Sequence, residues 1–206
     1  MKGILFKPWK IKAIADDPDR EWQTRRLSGL KVINENPDNW RFVYKELGTF
    51  YFEPLDKHCI AVMCKLRYQV GETVYIKEAW WTPPHNRNES HNQNIVSYRA
   101  IIVENAGEEA AQRNRWLSPL FMPQWAARYF IKILSVTPQR LQEITEEDAE
   151  AEGFAGYNIG QIYLRETGNY PVFALGVFVW AWDSINPKYP WKFNPWAWRY
   201  EFELVK

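Results

Sequence analysis

Two cysteines and three histidines in 206 residues leave little material for metal or disulfide chemistry. Cys59 and Cys64 have only His58 beside them, with no second cluster at ligand spacing, and His85 and His91 stand in a polar stretch. Neither a metal nor another cofactor is therefore expected. Long hydrophobic runs are also missing. The longest, "VFALGVFVWAW" from Val172 to Trp182, is too short to cross a bilayer and reads as a buried helix, so a soluble protein with no membrane partner is expected. The start "MKGILFKPWK" lacks a long apolar signal region, which together with the scarce cysteines suits a cytoplasmic setting. Charge of one sign is not in excess either. Lys and Arg number 26 against 25 Asp and Glu, a net +1, which excludes a strongly basic protein that coats nucleic acid without specificity. A local basic groove stays compatible, because Arg20, Arg25, Arg26 and Lys31 gather early while Glu143, Glu146, Glu147, Asp148, Glu150 and Glu152 gather late. No internal repeat, phosphate-cradling glycine loop, G-x-S-x-G turn or nucleophile–histidine pair is found.

Aromatic residues are abundant: 17% of the chain, with twelve tryptophans. They supply core area, and they also supply flat faces on which bases stack. "GILF" reads as a first strand and a short helix is expected from Pro8, stopped at Asp17-Pro18. Leu30 to Asn39 is polar and turn-rich, a loop. "WRFVYKE", "GTFYFEP", "HCIAVMCKL", Thr73 to Trp81, Ile95 to Val103 and the long run from Ala127 alternate as strands. Thr82 to Asn94 reads as a loop and Glu104 to Asn114 as a polar insertion. "TEEDAEAEG" carries a helix start at Thr145 and a stop at Gly153. Gly156 to Tyr170 reads as irregular, Val172 to Ile185 as a helix and Asn194 to Val205 as a last strand. Many strands with few short helices predict a mixed, barrel-like α+β domain rather than a doubly wound parallel sheet.

Four patterns carry candidate chemistry. In "DREWQTRRLSG", Thr24, Arg25 and Arg26 set a hydroxyl beside two guanidiniums, a set that holds a phosphate, a carboxylate or a polarised carbonyl; a threonine cap followed by two surface arginines would read the same. Asp148 and Glu152 stand at i and i+4, so both carboxylates share one helix face, either as a general-base pair or as a solvated acidic turn. In "TVYIKEAWW" alternation puts Glu78 with Val74 and Ile76 on an apolar face, where it requires a buried partner, with an arginine the natural choice; Lys77 and Trp80 flank it. In "RWLSPLFMPQWAAR", Trp116, Phe121, Met122, Pro123 and Trp125, ending at Arg128, are able to wall a flat cavity or simply to cap the barrel.

Taken together and in order, "ILFKPWKIKAI…QTRR", "CKLRYQVGETVYIKEAWW", "SPLFMPQWAARYFIKI", "VTPQRLQEITEEDAEAEGF" and "WDSINPKYPWKFNPWAWRYEFELV" closely resemble the ASCH-domain proteins of the PUA-like superfamily, especially the larger versions encoded by bacteriophages and prophages. The resemblance implies one domain over 1–206, a PUA-like β-barrel of mixed and antiparallel strands with flanking short helices, and insertions near 34–39, 82–94 and 154–170. It also implies a cleft for RNA, a nucleobase or a nucleoside in the cytoplasm of a bacterial host. Arg25 and Arg26 match the family's signature after the first helix. Some small bacterial members are amidohydrolases that remove the acyl group from N4-acetylcytidine; Thr24 falls on their threonine and Glu152 on their glutamate. Their lysine position holds Glu21 here. A carboxylate cannot supply positive charge and is a weaker base than a neutral lysine.

Two readings follow from this. In the first, RNA or a modified nucleoside binds with Arg25, Arg26, Lys77 and Arg128 on phosphate or carbonyl, Trp80 or Trp125 stacking, and Glu78 or Glu152 on an amino edge. In the second, Thr24 is the nucleophile and Glu152 the general acid/base of a hydrolase. The absent lysine ranks binding first. A phage interaction protein with a vestigial pocket is the third reading, in which Arg25→Ala changes no ligand affinity.

Overall fold

The computed structural model describes residues 1–56, 61–82, 96–99, 115–171 and 173–205. Its strands are β1 (Gly3–Leu5), β2 (Trp22–Arg26), β3 (Trp40–Glu46), β4 (Thr49–Pro54), β5 (Val62–Lys65), β6 (Thr73–Lys77), β7 (Trp80–Trp81), β8 (Ser97–Tyr98), β9 (Phe130–Arg140) and β10 (Trp196–Leu204). Its helices are α1 (Pro8–Asp16), α2 (Glu146–Ala151), α3 (Tyr157–Thr167) and α4 (Ala174–Ile185). The chain is thus α+β, with parallel and antiparallel pairing and few helices. Among the described residues the sheets are open, with no closed barrel. Two compact units are distinguished: Met1–Arg20, Thr73–Lys132 and Leu204–Lys206 in the first, Glu21–Glu72 and Ile133–Glu203 in the second.

In the first unit β1 lies parallel to β6, with Ile4 opposite Ile76, and β6 runs antiparallel to the start of β9, with Val74 opposite Ile131. Helix α1 opens on Pro8, whose missing N–H costs nothing at a helix start, and buries Ile11 and Ile14. The strand expected over Thr73 to Trp81 is broken. Glu78 lies between β6 and β7, and its N–H donates to Met122 Sδ at 3.3 Å instead of to a ladder carbonyl. Tyr75 is buried as well as Val74 and Ile76, so this strand is covered on both faces rather than alternating. Tyr75, Trp80, Tyr98, Met122, Ala126 and Ala127 form one core cluster. Its two phenols donate to backbone carbonyls, Tyr75 Oη to Met122 and Tyr98 Oη to Ala126, which removes the cost of burying them.

In the second unit β10 joins β9 to β2, and β3-β4-β5 form a three-stranded antiparallel sheet. Alternation along β10 turns Trp198, Tyr200 and Phe202 to one face, where all three are buried. Phe50 and Phe52 of β4 meet that face edge-on, Phe50 against Trp198 at 4.7 Å and Phe52 against Trp196 at 5.2 Å. The stretch expected as a polar loop from Leu30 to Asn39 contains two short 3-10 turns and is part of the core: Leu30 and Ile33 are fully buried. Asn34 accepts from the Trp196 N–H and donates to its carbonyl, so a polar residue serves there as a cross-brace.

The helix expected near Val172 to Ile185 is α4, which buries Ala174, Val177, Phe178, Ala181 and Trp182, an i, i+3, i+4, i+7, i+8 stripe. The segment read as irregular, Gly156 to Tyr170, is instead helical over α3, stopped by Gly168 at φ 74°. Gly160 in its interior masked a stripe of Ile159, Ile162 and Tyr163, because glycine lowers helix propensity. The readings at His58, Cys59, His85 and His91, over 83–95 and over 100–114 lie outside the described residues.

Candidate functional site

The first unit carries Lys77, Glu78, Trp80, Trp125 and Arg128 of the residues singled out from sequence; the second carries Glu21, Thr24, Arg25, Arg26 and Glu152.

Glu78, Trp80 and Thr82 alternate along an extended segment and are all buried, with 3%, 3% and 1% exposure. The arginine that Glu78 requires is Arg128. Its Nε donates to Oε1 at 2.7 Å and its Nη2 to Oε2 at 2.9 Å, a two-point fork on one carboxylate. The guanidinium carbon lies 4.6 Å from the Tyr98 ring centre and 4.7 Å from that of Tyr129. Burial opposes the charge on Arg128, but the hydrogen bond and charge of Glu78 outweigh it and hold the guanidinium above its ordinary pKa. Burial, then the negative charge of Glu78, pushes the Tyr98 phenol up to about 12. Arg128 keeps 21% of its side chain exposed, so the pair opens on one side.

Trp125 meets Trp80 edge-to-face at 5.8 Å. Trp80 Nε1 and Thr82 Oγ1 are buried without a hydrogen-bond partner among the described residues, an uncommon state for two neighbouring polar atoms. Lys77 Nζ donates to the Leu120 carbonyl at 2.9 Å, so it braces the proline-rich turn.

In the second unit strand alternation separates the residues of "TRR". Thr24 and Arg26 stand opposite Tyr200 and Trp198 of β10, whereas Arg25 stands opposite Arg199 on the other face. Arg25 is almost fully buried and donates to three side chains: Nη1 to Glu152 at 3.1 Å, Nη2 to Asp148 at 2.8 Å and to Gln139 at 2.9 Å. Phe178 of α4 closes over it at 5.9 Å. Burial lowers the pKa of Arg26, with Glu152, Tyr68 and Tyr200 opposing. Burial also pushes Tyr200 up to about 12 against backbone N–H groups of Tyr68 and Arg67 and the charge of Arg26. Thr24 is 2% exposed, while Glu21, at the position of the hydrolases' lysine, is exposed just before β2.

The i, i+4 pair read from sequence, Asp148 and Glu152, therefore does share a face and a target. That target is Arg25, which is neutralised by it. Sequence reasoning passed over Tyr98 and Tyr129 around Arg128, buried Thr82, and Gln139, which accepts from Arg25. The first two had a signal: Tyr98 sits in an alternating run and Tyr129 directly follows Arg128. Among the described residues no group of three or more His, Cys, Asp or Glu side chains is placed to hold a metal ion, and no helix is long and apolar enough to cross a membrane. No protein-family model matches the chain, and no significant match is found among curated proteins or solved structures.

Proposed function

We infer that the protein is a PUA-like, ASCH-type module that binds a nucleobase, free as a nucleoside or presented by single-stranded RNA, at Glu78 and Arg128. The observation that carries this reading is the partly open Glu78–Arg128 fork, with Trp80 Nε1 and Thr82 Oγ1 on the same extended segment buried and without a hydrogen-bond partner among the described residues. A base edge offers what these groups lack. Each Glu78 oxygen retains a lone pair for an exocyclic amino group, and the arginine and indole N–H groups suit a ring nitrogen or carbonyl. Half-buried Trp125 and Tyr129 supply faces for stacking. Because Arg25 and Arg128 are both paired with carboxylates, the reading rests on base recognition more than on attraction to phosphates.

The hydrolase alternative gives Thr24 and Glu152 the chemistry. Glu152 is held by Arg25 on one face of β2 and Thr24 lies on the other, so binding stands first. Titration calorimetry with cytidine, guanosine, N4-acetylcytidine and a short single-stranded RNA tests the proposal. Arg128→Lys keeps the charge, loses the fork, and is expected to weaken binding about tenfold, the size of one charge-assisted hydrogen bond. Absence of binding by all four probes, or an unchanged affinity in Arg128→Lys, would rule the site out. Chromatography of the N4-acetylcytidine sample reads hydrolysis in the same experiment: release of cytidine would put the hydrolase reading first.

A further inference from the structure

A cavity of about 370 Å³ opens in the second unit among α2, α3 and α4, and none of the candidate-site residues described above lines it. Its size falls within the range of small-molecule pockets. Phe154 lines it from the end of α2, Gly160 from α3, and Val177 from α4; Tyr170 and Phe173 stand at its rim with 79% and 66% of their surfaces exposed. Two large aromatics held at an open mouth are poorly placed for stability, since they bury little area where they stand.

The charge of this cavity is one-sided. Among the described residues its lining holds Glu146 and Glu150 and no lysine, arginine or histidine. Helix geometry explains how the acids of α2 are shared out. Residues two apart on a helix lie about 200° apart, so Asp148 and Glu152 face Arg25 while Glu146 and Glu150 face the opposite way. The Glu146 carboxylate accepts from the Ala174 and Leu175 N–H groups and so cancels the positive end of α4. The Glu150 carboxylate has no ion pair or hydrogen bond among the described residues. Among the described residues the cavity is left with one uncompensated negative charge, beside three aromatic rings.

We propose that this cavity is a binding site for a small organic ammonium ion, with Glu150 as its counter-charge and Phe154, Tyr170 and Phe173 as its aromatic wall. A carboxylate gives the ammonium a partner, and ring faces stabilise the cation through their quadrupoles while taking up its apolar body. A neutral or anionic ligand of the same shape gains the apolar contact alone or is repelled. The proposal does not depend on the nucleobase site, which lies in the other unit.

Three compounds of one shape test it on the full chain: tyramine, 4-ethylphenol and 4-hydroxyphenylacetate, titrated by calorimetry and by two-dimensional NMR. Tyramine is expected to bind at least about fivefold more tightly than 4-ethylphenol, as a half-exposed ion pair allows, and 4-hydroxyphenylacetate more weakly still. Glu150→Gln is expected to abolish the preference, Glu150→Lys to reverse it in favour of the carboxylate, and Phe173→Ala to weaken tyramine about threefold. Glu150 is partly exposed and Phe173 largely so, so all three variants are expected to fold, which their far-UV circular dichroism checks. Equal affinity for tyramine and 4-ethylphenol, no saturable tyramine binding up to about 10 mM, or an affinity untouched by Glu150→Gln would each overturn the proposal.

Discussion

Arg25 donates to Gln139, Asp148 and Glu152 while keeping about 1% of its side chain exposed. A cation so placed has one main effect on stability, which is to make buried Glu152 and largely covered Asp148 tolerable. Arg25→Met is therefore expected to cost about 3–5 kcal/mol in urea unfolding, because it strands both acids. Adding Asp148→Asn and Glu152→Gln to that variant is expected to restore most of the loss, a coupling that a double-mutant treatment reads directly. A loss under about 1 kcal/mol in the single variant would show Arg25 to be dispensable to the fold and would return it to the list of ligand-binding cations. The same residue shows how far sequence reaches at this scale. Glu78 and Arg128 were both legible, one as an acid in an apolar strand and the other at the end of an aromatic segment. Nothing in local spacing joined them across 50 residues, or joined Arg25 to Glu152 across 127. Burial exposes the need for a partner, and only the topology says which partner answers it.

Elements were easiest to read where one periodicity ran without interruption. Helix α4 and strand β10 were both visible, α4 as part of the longest apolar run in the chain, which outweighs Gly176 within it, and β10 as an aromatic-rich alternation with no glycine or proline to blur it. Helix α3 was missed because Gly160 and the flanking glycines imitate a loop; in the fold Gly160 permits close approach, with Pro171 Cγ only 3.3 Å from where a β-carbon would sit. The break at Glu78 was missed because a hydrogen bond to a methionine sulfur leaves no trace in an alternating pattern. Helix starts depend on neighbours as well. Phe173 at the start of α4 has no capping side chain, and Glu146 of α2 supplies the acceptors from another element. Glu146→Ala is expected to cost about 1–2 kcal/mol, as the loss of a cap does, and to speed amide exchange at Ala174 and Leu175 while leaving Val177 and Phe178 protected. Uniform loss of protection along α4 would show that α2 holds the whole helix, and unchanged exchange would show that the bond is idle.

At the scale of the whole molecule, the balanced charge and the aromatic excess make alkaline stability the informative property. Each unit buries one phenol whose pKa is pushed up to about 12, Tyr98 in the first and Tyr200 in the second, in both cases chiefly by burial. In the unfolded chain these groups titrate near 10.0. Folding therefore holds their protons more tightly than the unfolded chain does, and the native state binds the greater number of protons between those two values. Their contribution to stability is complete below pH 10 and is lost as pH rises toward 12, the reverse of a carboxylate whose pKa is lowered by an ion pair. Absorbance titration of the native protein is expected to show two of its eleven tyrosines ionising last, in step with unfolding. Urea midpoints measured across this window are expected to fall, and to fall less steeply in Tyr98→Phe and in Tyr200→Phe, which have no proton to lose. Tyr98→Phe also gives up the bond to the Ala126 carbonyl, so it begins about 1 kcal/mol lower and its curve crosses toward that of the natural chain at high pH. Parallel curves for all three proteins would mean that the phenols titrate alike in the folded and unfolded chain, and that lysine deprotonation alone drives the decline. Separate slopes for the two variants would assign the alkaline sensitivity of each unit to its own tyrosine.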